Sequence, residues 1–297
     1  MEKFIDPRIL ARIKDLPLIA KCVAEGFLFG LQESRQRGVG VEFSQYRPYE
    51  TGDELSRIDW KLFARSDRYF VHEAERESEI DVWFLLDSSA SMAQKSESQE
   101  SIDKLTYSKY LLASLAYLSI QQGDSVGFMN FSKQNFEIVP PGNGIKQFQR
   151  LLIHLSSLEA KNYFPDIQEL IPYLHYFQRP SLIFLISDFS QHHNEISQFL
   201  GKINTSLSEV VAIHLNSPED ADFTYRGAVR FKDLETREEV LVNANEAAKY
   251  YSMAREEYIK ELKTELMSKN IGYANFNTGQ PLDYVLMEYL KQRKRAG

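Results

Sequence analysis

The chain has 297 residues, 43% of them hydrophobic, enough for one large domain with additions or two small ones. A formal net charge of −7 argues against nucleic-acid binding, which needs a basic face to neutralise phosphates. A single cysteine, Cys22, excludes an internal disulfide framework. With no apolar run approaching membrane length and no signal-peptide pattern at Met1–Asp6, the expectation is a cytoplasmic protein without membrane insertion.

In chain order, residues 7–32 carry helical spacing of Ile9, Leu10, Ile13, Leu16, Ile19, Ala20 and Val23, interrupted by Pro17. Residues 33–79 differ. Seven arginines and eleven acidic residues surround Phe43, Tyr46, Tyr49, Trp60 and Phe63, while Gly38, Gly40, Pro48 and Gly52 break any long element. So aromatic a stretch is no disordered linker. It reads as an irregular arm, which with the first helix makes a segment 1–79 ahead of a domain over 80–295.

From residue 80 strands and helices alternate, the pattern of an open, mostly parallel α/β sheet with helices on both faces. Val82–Leu86 reads as a buried strand, 103–120 as a helix apolar on most sides, and Ser125–Phe131 as the next strand. Phe136–Val139 looks like a short edge strand. Helices at about 145–158 and 165–177 precede the strand Leu182–Ser187, and a helix at about 192–203 leads to the strand Val210–Leu215. Residues 223–243 read as a hairpin addition turning near Asp233–Thr236. A long helix at about 246–268, a strand at 272–276 and a helix from Leu282 complete the pattern.

The candidate site follows from two strand ends. Asp87, Ser89 and Ser91 stand at D-x-S-x-S spacing directly after the first buried strand, and Asp188 follows the strand ending in Ser187. Neighbouring strands would bring Asp87 and Asp188 together at a switch point of the sheet, where open α/β folds bind ligands. Carboxylates and hydroxyls are hard donors suited to Mg²⁺. The competing account is that each Asp caps the helix that follows.

Asp87-x-Ser89-x-Ser91 with Ser187-Asp188 resembles the metal-ion-dependent adhesion site of von Willebrand factor A domains. Gly38–Phe43, Arg47-Pro48-Tyr49, Gly52-Asp53, Arg57-Ile58-Asp59-Trp60 and Ala64-Arg65 are similar to the signature of the family called domain of unknown function 58, over about residues 25–295. That resemblance implies a von Willebrand A-like (Rossmann-like) sheet and Mg²⁺, or Mn²⁺, at its top edge. It also implies a MoxR-type AAA+ ATPase as partner, with a partner carboxylate filling an open metal position. The chain departs from the pattern where a threonine is usual: it has Tyr163-Phe164-Pro165-Asp166-Ile167. Pro165 cannot ligate through its side chain, so metal binding is expected to be weak. Asp166 either replaces the missing ligand or opens a helix, which Pro-Asp does well.

The resulting expectation is a non-enzymatic, metal-dependent protein-interaction module, an adaptor or co-chaperone for that ATPase. The alternative is a Mg²⁺-dependent phosphoester hydrolase using Asp87 and Asp188. Such enzymes place a second acid two residues after the first, and here that position holds Ser89. Arg47, Arg57 and Arg65 are candidates for a partner-binding surface, against a competing account of ion pairing with Glu42, Glu50, Asp53 and Asp59.

Overall fold

A computed structural model describes residues 15–25, 46–48, 70–72, 80–95, 102–133, 136–191, 194–223, 225–234, 237–287 and 289. The chain divides into two compact units, one of residues 1–28 with 80–297 and the other of residues 29–79. In the smaller unit two short strands, β1 (Tyr46–Pro48) and β2 (Phe70–His72), pair antiparallel, with Arg47 opposite Val71. Arg57, Arg65 and Trp60 lie outside the described residues.

The first described element of the larger unit is α1 (residues 16–25). Pro17 does not interrupt this helix but sits in its first turn, where a missing N–H costs nothing. Asp15 accepts the Leu18 N–H at 3.2 Å, as an N-cap should. Ile19, Ala20, Val23 and Ala24 are fully buried.

The main sheet has six strands in the order β10-β7-β6-β3-β4-β5. They are β3 (Asp81–Asp87), β4 (Ser125–Phe131), β5 (Glu137–Gly142), β6 (Ser181–Ser187), β7 (Ser208–Asn216) and β10 (Gly272–Asn277). All neighbours are parallel except β4 and β5. From β3 the chain builds outward through β4 and β5, then returns to build β6, β7 and β10 on the other side. The reversal falls between β3 and β6, and their carboxyl ends therefore splay around a crevice. β5 runs beyond Val139 through Pro140, Pro141 and Gly142, tolerable because an edge strand has one side free of the ladder.

Alternation along β3 sends Trp83 and Leu85 to one face and Phe84 and Leu86 to the other. Trp83 and Leu85 join a core with Phe131, Phe177, Phe199 and Leu266. There α5 (Glu195–Ile203) and α7 (Ala244–Ser268) contribute their apolar sides. The Trp83 ring lies so close to Gly127 that a Cβ there would stand 2.8 Å from it, so β4 needs glycine at that position. α2 (Lys104–Gln121) packs on β3 and β4, and against α3 (Gly144–Ser157). The segment expected as one helix over 165–177 is instead a four-residue α4 (Ile167–Leu170) followed by a tighter 3₁₀ run, Ile171–Phe177. Pro172, which cannot donate to a carbonyl four residues back, sits at that change. The hairpin is present as β8 (Ala228–Lys232) and β9 (Glu239–Asn243), after a short α6 (Pro218–Asp222); α8 covers residues 282–287. Among the described residues no helix is long and apolar enough to cross a membrane.

Candidate functional site

The carboxyl ends of β3 and β6 bring four of the five expected donors together. Asp87 ends β3 and Asp188 follows β6, and both are buried. Ser187 Oγ donates to Asp87 Oδ2 at 2.6 Å, and the Ser89 N–H donates to Asp87 Oδ1 at 2.9 Å. Ser91 Oγ donates to Asp188 Oδ1 at 3.1 Å, and Ser89 Oγ lies 3.0 Å from Ser91 Oγ. The turn after β6 is strained: Phe189 has φ of 54°, a left-handed conformation unusual for an aromatic residue. Its N–H donates to Ser187 Oγ at 2.9 Å and its carbonyl accepts from Tyr258 Oη at 2.7 Å, which fixes the direction in which Asp188 points.

The fifth donor is placed elsewhere. Asp166 stands at the N-cap position of α4, its side chain 61% exposed and 3.5 Å from Lys133 Nζ. The adjoining segment does approach the first loop, since Asn162 O accepts the Ala90 N–H at 2.7 Å and Ser88 O accepts the Lys161 N–H. It delivers backbone, and the buried Pro165 has no side-chain donor to add.

Sequence reasoning missed the centre of the cluster. Lys104, 3% exposed in the first turn of α2, places Nζ 3.0 Å from Asp188 Oδ2 and 3.0 Å from Asp220 Oδ2. It donates a further bond to Gln94 Oε1 at 2.7 Å, while Gln94 Nε2 donates to Asp220 Oδ1 at 2.9 Å. Asp220 belongs to a capping box with Ser217 at the start of α6, beyond the end of β7. The available signal was a lysine entering a helix buried on most sides, at the end where a cation opposes the helix dipole. Such a lysine has to find acids from elsewhere in the fold.

The electrostatics follow from this packing. Burial, with the nearby Asp188 charge, pushes the Asp87 carboxyl up to about 6, although bonds from Ser187 and Ser89 pull the other way. For Lys104 burial acts to lower the pKa, but Asp188 and Asp220 outweigh it and hold the ammonium charged. Asp220 is lowered overall, Lys104 overcoming the effect of burial. Burial lowers His214, next to Phe189, to about 4, so its ring stays neutral; its Nδ1 lies 2.8 Å from Tyr273 Oη.

Two openings meet here. An inner cavity of about 370 Å³ is lined by Lys104, Asp188, His214, Asp220 and Arg255. An outer groove of about 800 Å³ runs from Ser91 and Ser190 along the hairpin, past Lys95, Tyr225, Arg230 and Phe231. As donors, two carboxylates and two hydroxyls fit a hard divalent cation such as Mg²⁺. Asp188 and Asp220 share the single ammonium of Lys104, while Asp87 feels the Asp188 charge as repulsion, an excess that such an ion would balance. Among the described residues no three His, Cys, Asp or Glu side chains are placed so that they could hold a metal ion together, so any ion here would rely on the serine hydroxyls.

A mostly parallel sheet with a D-x-S-x-S loop and a second aspartate at its switch point defines an α/β domain of the von Willebrand A-like class. The chain belongs to the family described as protein of unknown function DUF58, whose model matches residues 45–265. It is 25% identical over 241 residues to uncharacterized proteins of Mycobacterium tuberculosis and Mycobacterium bovis, covering 78% of this chain and 72% of theirs. Among solved structures it resembles the conserved hypothetical protein BatB from Bacteroides thetaiotaomicron (14% identity, TM-score 0.44), over 73% of this chain and 99% of that one. An aerotolerance-related membrane protein from Bacteroides fragilis matches at 18% identity and TM-score 0.43, over 71% of this chain and 99% of that one. The SpRpn10 VWA domain matches at 10% identity and TM-score 0.41, over 70% of this chain and 93% of that domain. The strand order and register, not these modest scores, define the fold.

Proposed function

We propose that the chain is a protein-interaction module whose docking face is the carboxyl edge of the main sheet, with a divalent cation, Mg²⁺ or Mn²⁺, as part of that face. The observation that carries this reading is the convergence of Asp87, Ser89, Ser91 and Asp188 beside a groove open to a partner. Mg²⁺ keeps exchangeable water positions in its octahedral shell, so a partner carboxylate can take one of them. Asp87 and Asp188 would hold the ion with the two serines, and the ion would bridge acids that otherwise repel. The family resemblance supports a MoxR-type AAA+ ATPase as the partner, an associational argument rather than one from residues. The hydrolase alternative lacks its second acid at Ser89 and has no observation in its favour.

Capture of a purified MoxR-type ATPase by the immobilised chain tests the reading. Capture is expected in Mg²⁺ and lost both in chelator and in Asp87→Ala. Capture that ignores chelator and substitution alike would move the docking face away from this edge.

A further inference from the structure

Lys104 stands where the interaction reading leaves no role for it. An ammonium that is 3% exposed is costly unless paired. This one is placed against the helix dipole, at the first turn of α2. Its three N–H bonds are all used: Asp188 Oδ2 at 3.0 Å, Asp220 Oδ2 at 3.0 Å and Gln94 Oε1 at 2.7 Å. The two acids come from different connections, Asp188 just after β6 and Asp220 in α6 beyond β7, and Gln94 from the connection after β3, so the ammonium ties together three segments of the edge. Asp188 is thereby divided: Oδ2 faces the ammonium, while Oδ1 accepts from Ser91 Oγ and from the Ser190 N–H.

We propose that Lys104 is a resident countercation of this edge. It neutralises and positions Asp188 and Asp220 so that the edge folds without metal, and it confines a divalent ion to Asp188 Oδ1 on the serine side, where the ion would compete with the bonds from Ser91 Oγ and the Ser190 N–H. Two consequences follow. The metal is a ligand of a preformed site rather than a structural element, and its affinity is held down by a fixed positive charge sharing the same carboxylate. The second consequence rests on the metal reading above; the first stands without it.

The experiment compares wild type, Lys104→Met and the triple variant Lys104→Met/Asp188→Asn/Asp220→Asn by thermal denaturation in chelator and in millimolar Mn²⁺, with titration calorimetry of Mn²⁺. Methionine keeps the length and apolar stem of lysine while removing the charge. In chelator, wild type should unfold within about 2 °C of its value in Mn²⁺. Lys104→Met should lose on the order of 10 °C, as for an uncompensated buried charge in a chain of this size. It should recover part of that loss in Mn²⁺, and bind Mn²⁺ at least tenfold more tightly than wild type. The triple variant, in which no acid needs a cation, should be more stable than Lys104→Met in chelator. A chelator-induced loss in wild type as large as that of Lys104→Met would overturn the proposal, since the metal would then be the structural cation. A triple variant no more stable than Lys104→Met would also overturn it, because Lys104 would act only through packing. If the triple variant recovers stability while no form binds Mn²⁺, the countercation stands and the metal reading falls.

Discussion

Two lysine–aspartate pairs near this sheet edge have similar geometry and different surroundings. Lys104 and Asp188 are 3.0 Å apart with side chains 4% and 1% exposed; Lys133 and Asp166 are 3.5 Å apart at 34% and 61%. The first pair has displaced water from both ions and cannot lose one member without stranding the other. The second exchanges one solvated arrangement for another, where ion pairs contribute little. What separates them is delivery. Asp188 is carried by the end of a central strand whose register with β3 and β7 is fixed along its length, whereas Asp166 stands exposed at the start of a four-residue helix, with no capping bond from its side chain.

The largest effect that would break this contrast is on Asp188. Asp188→Ala leaves Lys104 with one acid and Ser91 without its carboxylate acceptor, and should cost about 3–5 kcal/mol in urea denaturation. A loss near 0.5 kcal/mol would put both pairs in the same class.

A pH series sharpens the same point. Asp87 is raised from 3.8 to about 6, so the stability it lends is fully present below pH 3.8 and lost as pH rises through 6. His214 is lowered from 6.5 to about 4, so its contribution is present above pH 6.5 and lost as pH falls through 4. Each shift corresponds to about 3 kcal/mol, and the two slopes oppose one another. Wild-type stability should therefore stay nearly level between pH 4 and 6. Asp87→Asn should instead gain about 3 kcal/mol over that interval, read by urea denaturation at each pH, and a flat profile for it would remove the opposition.

A smaller effect is expected at Pro165. Pro165→Thr adds a hydroxyl where the resemblance to von Willebrand A domains implies one and should tighten Mg²⁺ by about 1 kcal/mol, several-fold by calorimetry. Unchanged affinity would mean that this segment contributes only its backbone. Smallest of all, Asp166→Ala should alter stability by less than about 0.5 kcal/mol and leave metal affinity untouched. A clear loss of affinity would return Asp166 to the ligand set.

The strands were legible because β3, β6 and β7 are continuous apolar runs, buried on both faces, and such runs have few other uses. Their order then placed Asp87 and Asp188 at one crevice. The meeting of Lys104 with Asp220 was not legible: the apolar start of α2 marks a lysine that needs acids, but which acids depends on how α2 and α6 dock. The helix expected over 165–177 failed through Pro172, whose effect in a short segment without strong periodicity prevails over propensity. Asp166 kept both readings open in sequence because a cap and a ligand require the same carboxylate; in the structure its exposed side chain makes no capping bond and pairs with Lys133 instead.

The glutamine at position 147 closes the opposite margin of the sheet. Pro140 and Pro141 have no N–H to offer β4, and Gln147 Nε2 reaches over from α3 to donate to Val126 O at 2.7 Å and Pro140 O at 2.8 Å. A side chain thus completes the ladder that two prolines leave unfinished. Because neighbouring N–H positions of a strand point to opposite sides, the proline pair also removes a donor from the outer margin, which makes this strand poor material for recruiting a foreign one. Replacing those prolines would turn a finished border into an adhesive one.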